Sequence, residues 1–230
     1  MRFEELNWMD VEAYLKQDDR VLLVLGATEQ HAYLSLLADV KIPLALADAA
    51  SQESGVLVAP PLAFGCSPYF LSYPGTISLR AATLVSVVED VVRSLYQTGF
   101  RRILVLNGHG GNNAAGTALF ELVNELPGLR VAWYEWWKSK SLEPFFIQHE
   151  LKPAHASWLE AFSFTTVAEM PAEAKGPLPS FTGLLNAAES RLYYGDGNFG
   201  GPYRVSDDLM QELFEICLAD VRYLLEFKAP

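Results

Sequence analysis

Apolar residues fall along this chain in two rhythms. Short unbroken runs at 20–25, 56–59, 102–106 and 131–137 lack the alternation of a half-buried strand. They predict strands covered on both faces, as in a parallel sheet. Between them apolar positions recur at helical spacing, as in Leu84, Val87, Val88, Val91, Val92 and Leu95 before a stop at Gly99. The last helix, 207–227, carries Leu209, Leu213, Ile216, Cys217, Val221, Leu224 and Leu225 on one face. Ser206 caps it, with Asp207 and Asp208 in its first turn. Further helices are predicted at 7–18 with Asn7 as N-cap, at 34–50 with Pro43 starting or kinking a segment, and at 114–126 before Pro127-Gly128. Two more fall at 154–164 and 184–193. A long irregular loop, 64–75, leads to a short strand at 76–79, while 172–180 and 194–205 are loops and 139–151 has no decisive pattern. Strands alternating with helices imply an α/β fold: three layers, α/β/α, around a mostly parallel central sheet. With no repeat, linker or shift of composition, residues 1–230 are expected to form one domain.

Composition narrows the partners. Half of the 230 residues are hydrophobic, enough for a large core, and the formal net charge is −11. Binding to nucleic acid or to an anionic membrane surface needs clustered Lys and Arg, so neither is expected. No apolar run approaches the ~20 residues of a spanning helix, and the first residues lack a signal-peptide apolar region. Cys66 and Cys217 show no metal or redox spacing, and a cytoplasmic setting is expected, although one bridge between them is compatible with the count.

Candidate chemistry gathers where strands end. Glu29 and His31 follow the run 20–25 with one residue between them. In extended backbone, positions i and i+2 share a face, so the two groups can aim at one point. Asp39 lies far enough on for the chain to turn back and join them. Carboxylate, imidazole and carboxylate form a ligand set suited to a divalent metal. His109 stands in the glycine-rich loop 107–113 after the run 102–106. Open α/β sheets build their sites at the carboxyl ends of strands, which places both clusters at one edge. A rival reading takes this loop as a phosphate cradle, but Asn113 occupies the last fingerprint position and no Lys-Ser/Thr follows. His155 and Glu160, five apart, diverge by ~140° on a helix, so they can meet only if His155 precedes the helix. By pattern alone Glu160 is a solvated carboxylate off the Trp158/Leu159/Phe162 face. The aromatics from Trp133 to Phe146 suggest a core strand and a subunit interface. His149 is read as surface, and both cysteines as small core residues.

Five ordered stretches resemble the creatininase (creatinine amidohydrolase) family. They are the strand with Gly26-Ala27-Thr28-Glu29-Gln30-His31 and downstream Asp39, then Tyr73-Pro74-Gly75-Thr76-Ile77-Ser78-Leu79, then Asn107-Gly108-His109-Gly110-Gly111-Asn112. His155-Ala156-Ser157-Trp158-Leu159-Glu160-Ala161 and Gly195-Asp196-Gly197 complete the set. The resemblance implies a creatininase-like α/β fold and a metal-dependent amidohydrolase cleaving a C–N bond of a small cyclic or related amide by metal-activated water. It implies Glu29, His31, Asp39, His109 and Glu160 as ligands of one or two divalent ions (Zn, Mn or Fe), with Asp39 as the bridge. It places His155 beside a small-molecule substrate as proton donor or carbonyl-polarising group, and counts Glu160 with it as catalytic. It also implies a homo-oligomer, a hexamer in the family. The chain departs from the pattern at Leu34 and Phe70, where members carry His, and at Gly111, where the family's namesake carries Glu. A variant reading keeps the fold and drops catalysis, leaving a binding or assembly protein.

Overall fold

The computed structural model describes residues 1–228; the final two positions of the expected 1–230 domain lie outside the described residues. The strands β1 (Arg20–Leu25), β2 (Leu57–Val58), β3 (Arg102–Asn107) and β4 (Arg130–Glu135) form a sheet of order β2-β1-β3-β4. Every pairing in it is parallel. The apolar runs have the burial that their lack of alternation predicts. Leu22, Val24, Leu104 and Leu106 face one core, and Val21, Leu23, Leu25, Ile103 and Val105 face the other. Both cores are closed by helices. The first holds residues of α2 (Ala38–Ser54), α5 (Glu143–Gln148) and α7 (Asp207–Leu224). The second holds residues of α3 (Ala81–Thr98) and α4 (Asn113–Glu125), with α1 (Trp8–Leu15) packed beside it. This is the three-layer α/β/α arrangement. The helix α6 (Ala187–Tyr194) and the loops around it lie near the irregular segment that contains Pro68–Phe70. Among the described residues no helix is long and apolar enough to cross a membrane. Cys66 is half-buried beside the second core, Cys217 is buried in the first, and both are free thiols.

Several elements differ from their sequence expectation, each for a local reason. The expected helix 154–164 is a single tight turn, Trp158–Glu160. Ala156 adopts φ +53°, the Ser157 hydroxyl donates to the Ala154 carbonyl at 2.6 Å, and the Ala156 N–H donates to the Glu160 carboxylate at 2.6 Å. These local side-chain bonds replace the helical ladder. The strand expected at 76–79 is one bridge, Thr28 to Ile77. The run 131–137 leaves the sheet at Glu135, after which Trp136–Lys138 forms a 3-10 turn. The second helix begins at Ala38, not 34, and continues past Pro43 to Ser54 before a left-handed Gly55. Helix α6 starts at Ala187 behind an Asn186 capping box rather than at 184.

Candidate metal centre

Because β1 and β3 are adjacent and in register, with Leu25 opposite Asn107, the segments that follow them leave the sheet side by side. Backbone and amide bonds keep them together. The Gly108 N–H donates to the Leu25 carbonyl at 2.7 Å. The Asn112 amide donates to the Gly26 carbonyl at 3.1 Å and to Asn107 Oδ1 at 3.2 Å. Glu29, His31, Asp39 and His109 are all buried, each no more than 3% exposed. Asp39 comes from the first turn of α2, and Glu160 from the turn Trp158–Glu160.

Each ligand-type imidazole has its tautomer set by a backbone carbonyl, which can only accept. His31 Nδ1–H donates to the Glu29 carbonyl at 3.2 Å. Its Nε2 is left facing Asp39 Oδ1 at 3.0 Å and Glu160 Oε1 at 3.7 Å. His109 Nε2–H donates to the Cys66 carbonyl at 3.0 Å, with Ser67 Oγ at 3.1 Å. Its Nδ1 is left facing Asp39 Oδ2 at 3.0 Å and Glu29 Oε1 at 3.4 Å. A metal-binding histidine is commonly oriented in this way, by a bond to its other ring nitrogen. Two groups of donor atoms share Asp39, namely Glu29/Asp39/His109 and His31/Asp39/Glu160, and a third joins Glu29, His31 and His155.

Several of these atoms have no partner of their own. Glu29 Oε2, His31 Nε2 and Asp39 Oδ2 are buried without a hydrogen bond, although His31 Nε2 is only 3.0 Å from Asp39 Oδ1. With the ring proton on Nδ1, His31 Nε2 has only a lone pair to turn toward that carboxylate oxygen. Such unpaired buried atoms cost free energy, and three carboxylates beside two imidazoles need a cation. The donor set therefore fits a divalent ion. Without one, protons compensate. Burial pulls the His31 pKa down, but the Asp39 and Glu160 carboxylates outweigh it and hold it well above the usual imidazole value. His109 is held up likewise by Glu29 and Asp39 against its burial. Burial pushes Asp39 up, and the two imidazoles overcome that and bring it below the ordinary carboxylate range.

His155 behaves differently. Burial, and then His31, push it down to about 4. Its ring lies 4.9 Å from Phe70 and nearly parallel to it, and 4.8 Å from Phe199. It borders a cavity of 330 Å³ shared with Glu29, Asp39, His109 and Glu160 and walled by Tyr69, Trp137, Leu159 and Phe199. The volume suits a small molecule.

The amino-acid sequence matches the family model for creatininase (creatinine amidohydrolase) over residues 4–225. This chain belongs to the creatininase family. It is 37% identical to the creatinine amidohydrolase of Pseudomonas putida over 116 residues, 47% of this chain and 45% of that enzyme. It is 36% identical to the mycofactocin precursor peptide peptidase of Mycolicibacterium smegmatis over 110 residues, 45% of this chain and 44% of that one. Those matches span less than half the length of either curated relative. A solved creatinine amidohydrolase superposes on the whole of this chain and 98% of its own, with a TM-score of 0.84 at 23% identity, a likeness of fold. Solved creatininases include a manganese form and a zinc–zinc form.

Within the creatininase fold, the residues expected at the site do come together. His155 and Glu160 line one cavity because His155 precedes the turn rather than lying on a helix. Glu160 is buried, not solvated. His149 is apart from the site, near Glu212. The departures also find places. Leu34 is buried and bridges to Thr166. Phe70 stacks on His155. At Gly111 a side chain would overlap the Cys66 carbonyl and the His109 ring, so no carboxylate fits there as the loop stands. Gly108 and Gly111 of this loop serve close approach to neighbouring backbone, while Gly110 stands in open space. Sequence reasoning missed Gln30, Ser67, Tyr69 and Phe199. Gln30 lies inside the Glu29–His31 motif, and its place between two expected ligands was the available signal. The others come from loops whose return to the site no local pattern announces.

Proposed function

We propose that this chain is a metal-dependent amidohydrolase that cleaves a C–N bond of a small cyclic or related amide. The observation that carries the reading is the sharing of Asp39 between two buried carboxylate/imidazole groups whose facing atoms lack other partners. Glu29, Asp39 and His109 would hold one ion, and His31, Asp39 and Glu160 a second; zinc, manganese and iron(II) all suit such oxygen and nitrogen donors. A bound ion would supply Lewis acidity toward a carbonyl and lower the pKa of water.

The protein's own residues do the rest. The Cys66 and Glu29 carbonyls hold the two imidazoles in ligating orientation. The Ala156 N–H fixes one Glu160 oxygen and leaves the other toward His31. Tyr69, Trp137 and Phe199 limit water around the substrate. His155, in the cavity but in neither Asp39-sharing group, meets the substrate beside the scissile bond. A homo-oligomer, hexameric by family resemblance, would give exposed Trp8, Phe120, Ile147 and Leu192 a surface to cover.

A second reading concerns substrate size. The cavity shares Ala154 and Phe199 with a 550 Å³ groove lined by Leu178, Phe181, Tyr193 and Tyr194. That continuity favours an amide bearing an extended apolar group, and one relative is named as a peptide peptidase. The test is elemental analysis of protein purified without chelator, followed by assay of creatinine, hydantoin and an aromatic-tailed dipeptide. Bound metal and turnover of one of these support the reading. Absence of metal, with no gain in Tm on adding zinc or manganese, overturns it. Bound metal without turnover of any amide favours the binding-protein alternative.

A further inference from the structure

The side chain of Gln30 is held at both ends of its amide. The Ala32 N–H donates to Gln30 Oε1 at 3.1 Å, and Gln30 Nε2 donates to the Gly197 carbonyl at 3.1 Å. Turning the amide over would set N–H against N–H and oxygen against oxygen, so its orientation is required. In that orientation Gln30 Nε2 lies 2.9 Å from His155 Nε2. An amide nitrogen can only donate, so His155 Nε2 must accept. The ring proton is then on Nδ1, the nitrogen 3.8 Å from Oε1 of Glu29, which lines the same cavity.

We propose that Gln30 is a positioning residue that holds His155 as the Nδ1–H tautomer, so that the ring offers the cavity a hydrogen-bond donor rather than a metal ligand or a proton-accepting lone pair. This rests on reading the cavity as a hydrolytic site. It removes Glu29/His31/His155 from the groups able to bind an ion, since a protonated Nδ1 cannot ligate. It also selects between the two roles open to His155. A neutral imidazole that keeps its Nδ1–H steadies a carbonyl oxygen gaining negative charge, as a fixed dipole aimed at the developing charge.

The proposal also gives the segment Gly195-Asp196-Gly197 a purpose. Gly197 has φ +100°, and a side chain there would overlap the Gln30 amide. Asp196 anchors the loop by accepting from Lys175 Nζ at 2.5 Å and from the Tyr203 hydroxyl at 2.7 Å. Three residues after Asp196, the Phe199 N–H donates to the His155 carbonyl at 3.0 Å. The one loop therefore sets both the amide and the imidazole. Phe70, Phe199 and His31 surround the ring and hold its plane.

The experiment is long-range ¹H–¹⁵N correlation on zinc-loaded protein labelled at histidine, with His155 assigned by its loss in His155→Gln. The expected result is a protonated Nδ1 shift and an unprotonated, pyridine-type Nε2 shift for His155. Gln30→Glu replaces the donor by an acceptor, and the two shifts are expected to exchange. A wild-type protein with the proton on Nε2 overturns the proposal, as does a Gln30→Glu protein that folds, keeps its zinc and shows no change of tautomer. If that variant fails to fold, the wild-type spectrum still decides. The spectrum needs no turnover, so failure of the tautomer and failure of the hydrolase reading are separate results.

Discussion

Gly108 stands so close to Asp39 that any side chain at position 108 would overlap the Asp39 backbone carbonyl. The contact is possible because Pro43, four residues after Asp39 in the helix, has no N–H to give that carbonyl. The Pro43 ring borders the same space. Thus the proline that looked like a helix interruption and the glycine that looked like a phosphate loop meet at one point. Their meeting brings His109 Nδ1 to 3.0 Å from Asp39 Oδ2.

Gly108→Ala is therefore expected to destabilise the protein by about 1–3 kcal/mol through overpacking and to lower metal occupancy with it. Gly110→Ala, where nothing lies within 4 Å of the added methyl, is expected to stay within about 0.5 kcal/mol of wild type. Thermal unfolding of the two variants checks the contrast; equal losses would show that the loop is not held by the Asp39 contact.

Asp39→Asn keeps the shape of the side chain and removes the charge common to both Asp39-sharing groups. Metal affinity and any hydrolytic rate are expected to fall ~100-fold or more, beyond the loss typical of an outer-shell change. Metal content after dialysis reads the effect; full occupancy by two ions would deny Asp39 its bridging place.

Metal uptake should release protons. In the metal-free protein the neighbouring carboxylates hold His31 and His109 well above the usual imidazole pKa, which favours their protonated forms, and ligation requires them neutral. Calorimetric titration with zinc in buffers of different ionisation enthalpy is expected to show a net release of protons. Apparent affinity should rise with pH. Release of none would mean that these imidazoles are not the ligands.

His155 has the opposite sign. Its folded pKa is about 4 against an ordinary 6.5, so the unfolded chain takes up a proton first as pH falls. Stability is therefore retained above pH 6.5 and lost between 6.5 and 4, by on the order of 3 kcal/mol. His155→Gln lacks this loss. Denaturant unfolding of the metal-free wild type and variant at pH 7 and pH 4.5 compares them, and contributions of His31 and His109 common to both cancel. A gap that does not move with pH would place His155 in solvent.

Much of the architecture was legible because it depends on local pattern. The unbroken run 20–25 and its counterpart after Arg102 have no polar face to give to water, so they had to become interior parallel strands. Gly99, Asn7 and Ser206 act within a turn of their own position. What failed to read correctly was competition between local bonds. Nothing in the spacing of His155 to Phe164 reveals that the Glu160 carboxylate takes the Ala156 N–H and ends the helix before it forms. The bend after Glu135, where Trp136 becomes buried, was equally hidden in an aromatic run that suits a strand.

At the site, the sequence alone put Glu29, His31 and His109 at strand ends with Asp39 able to join them, whereas Glu160 read by pattern as a solvated carboxylate and entered only through the family resemblance. Tertiary structure decided which atoms face one another. Register puts Leu25 opposite Asn107, and backbone carbonyls of Glu29 and Cys66 choose the ring nitrogen that each imidazole presents. The loop at Gly197 fixes the amide that turns His155. Those choices depend on hydrogen bonds between segments as much as 167 positions apart, and hydrogen-bond direction is a property of atoms in contact rather than of residues in order.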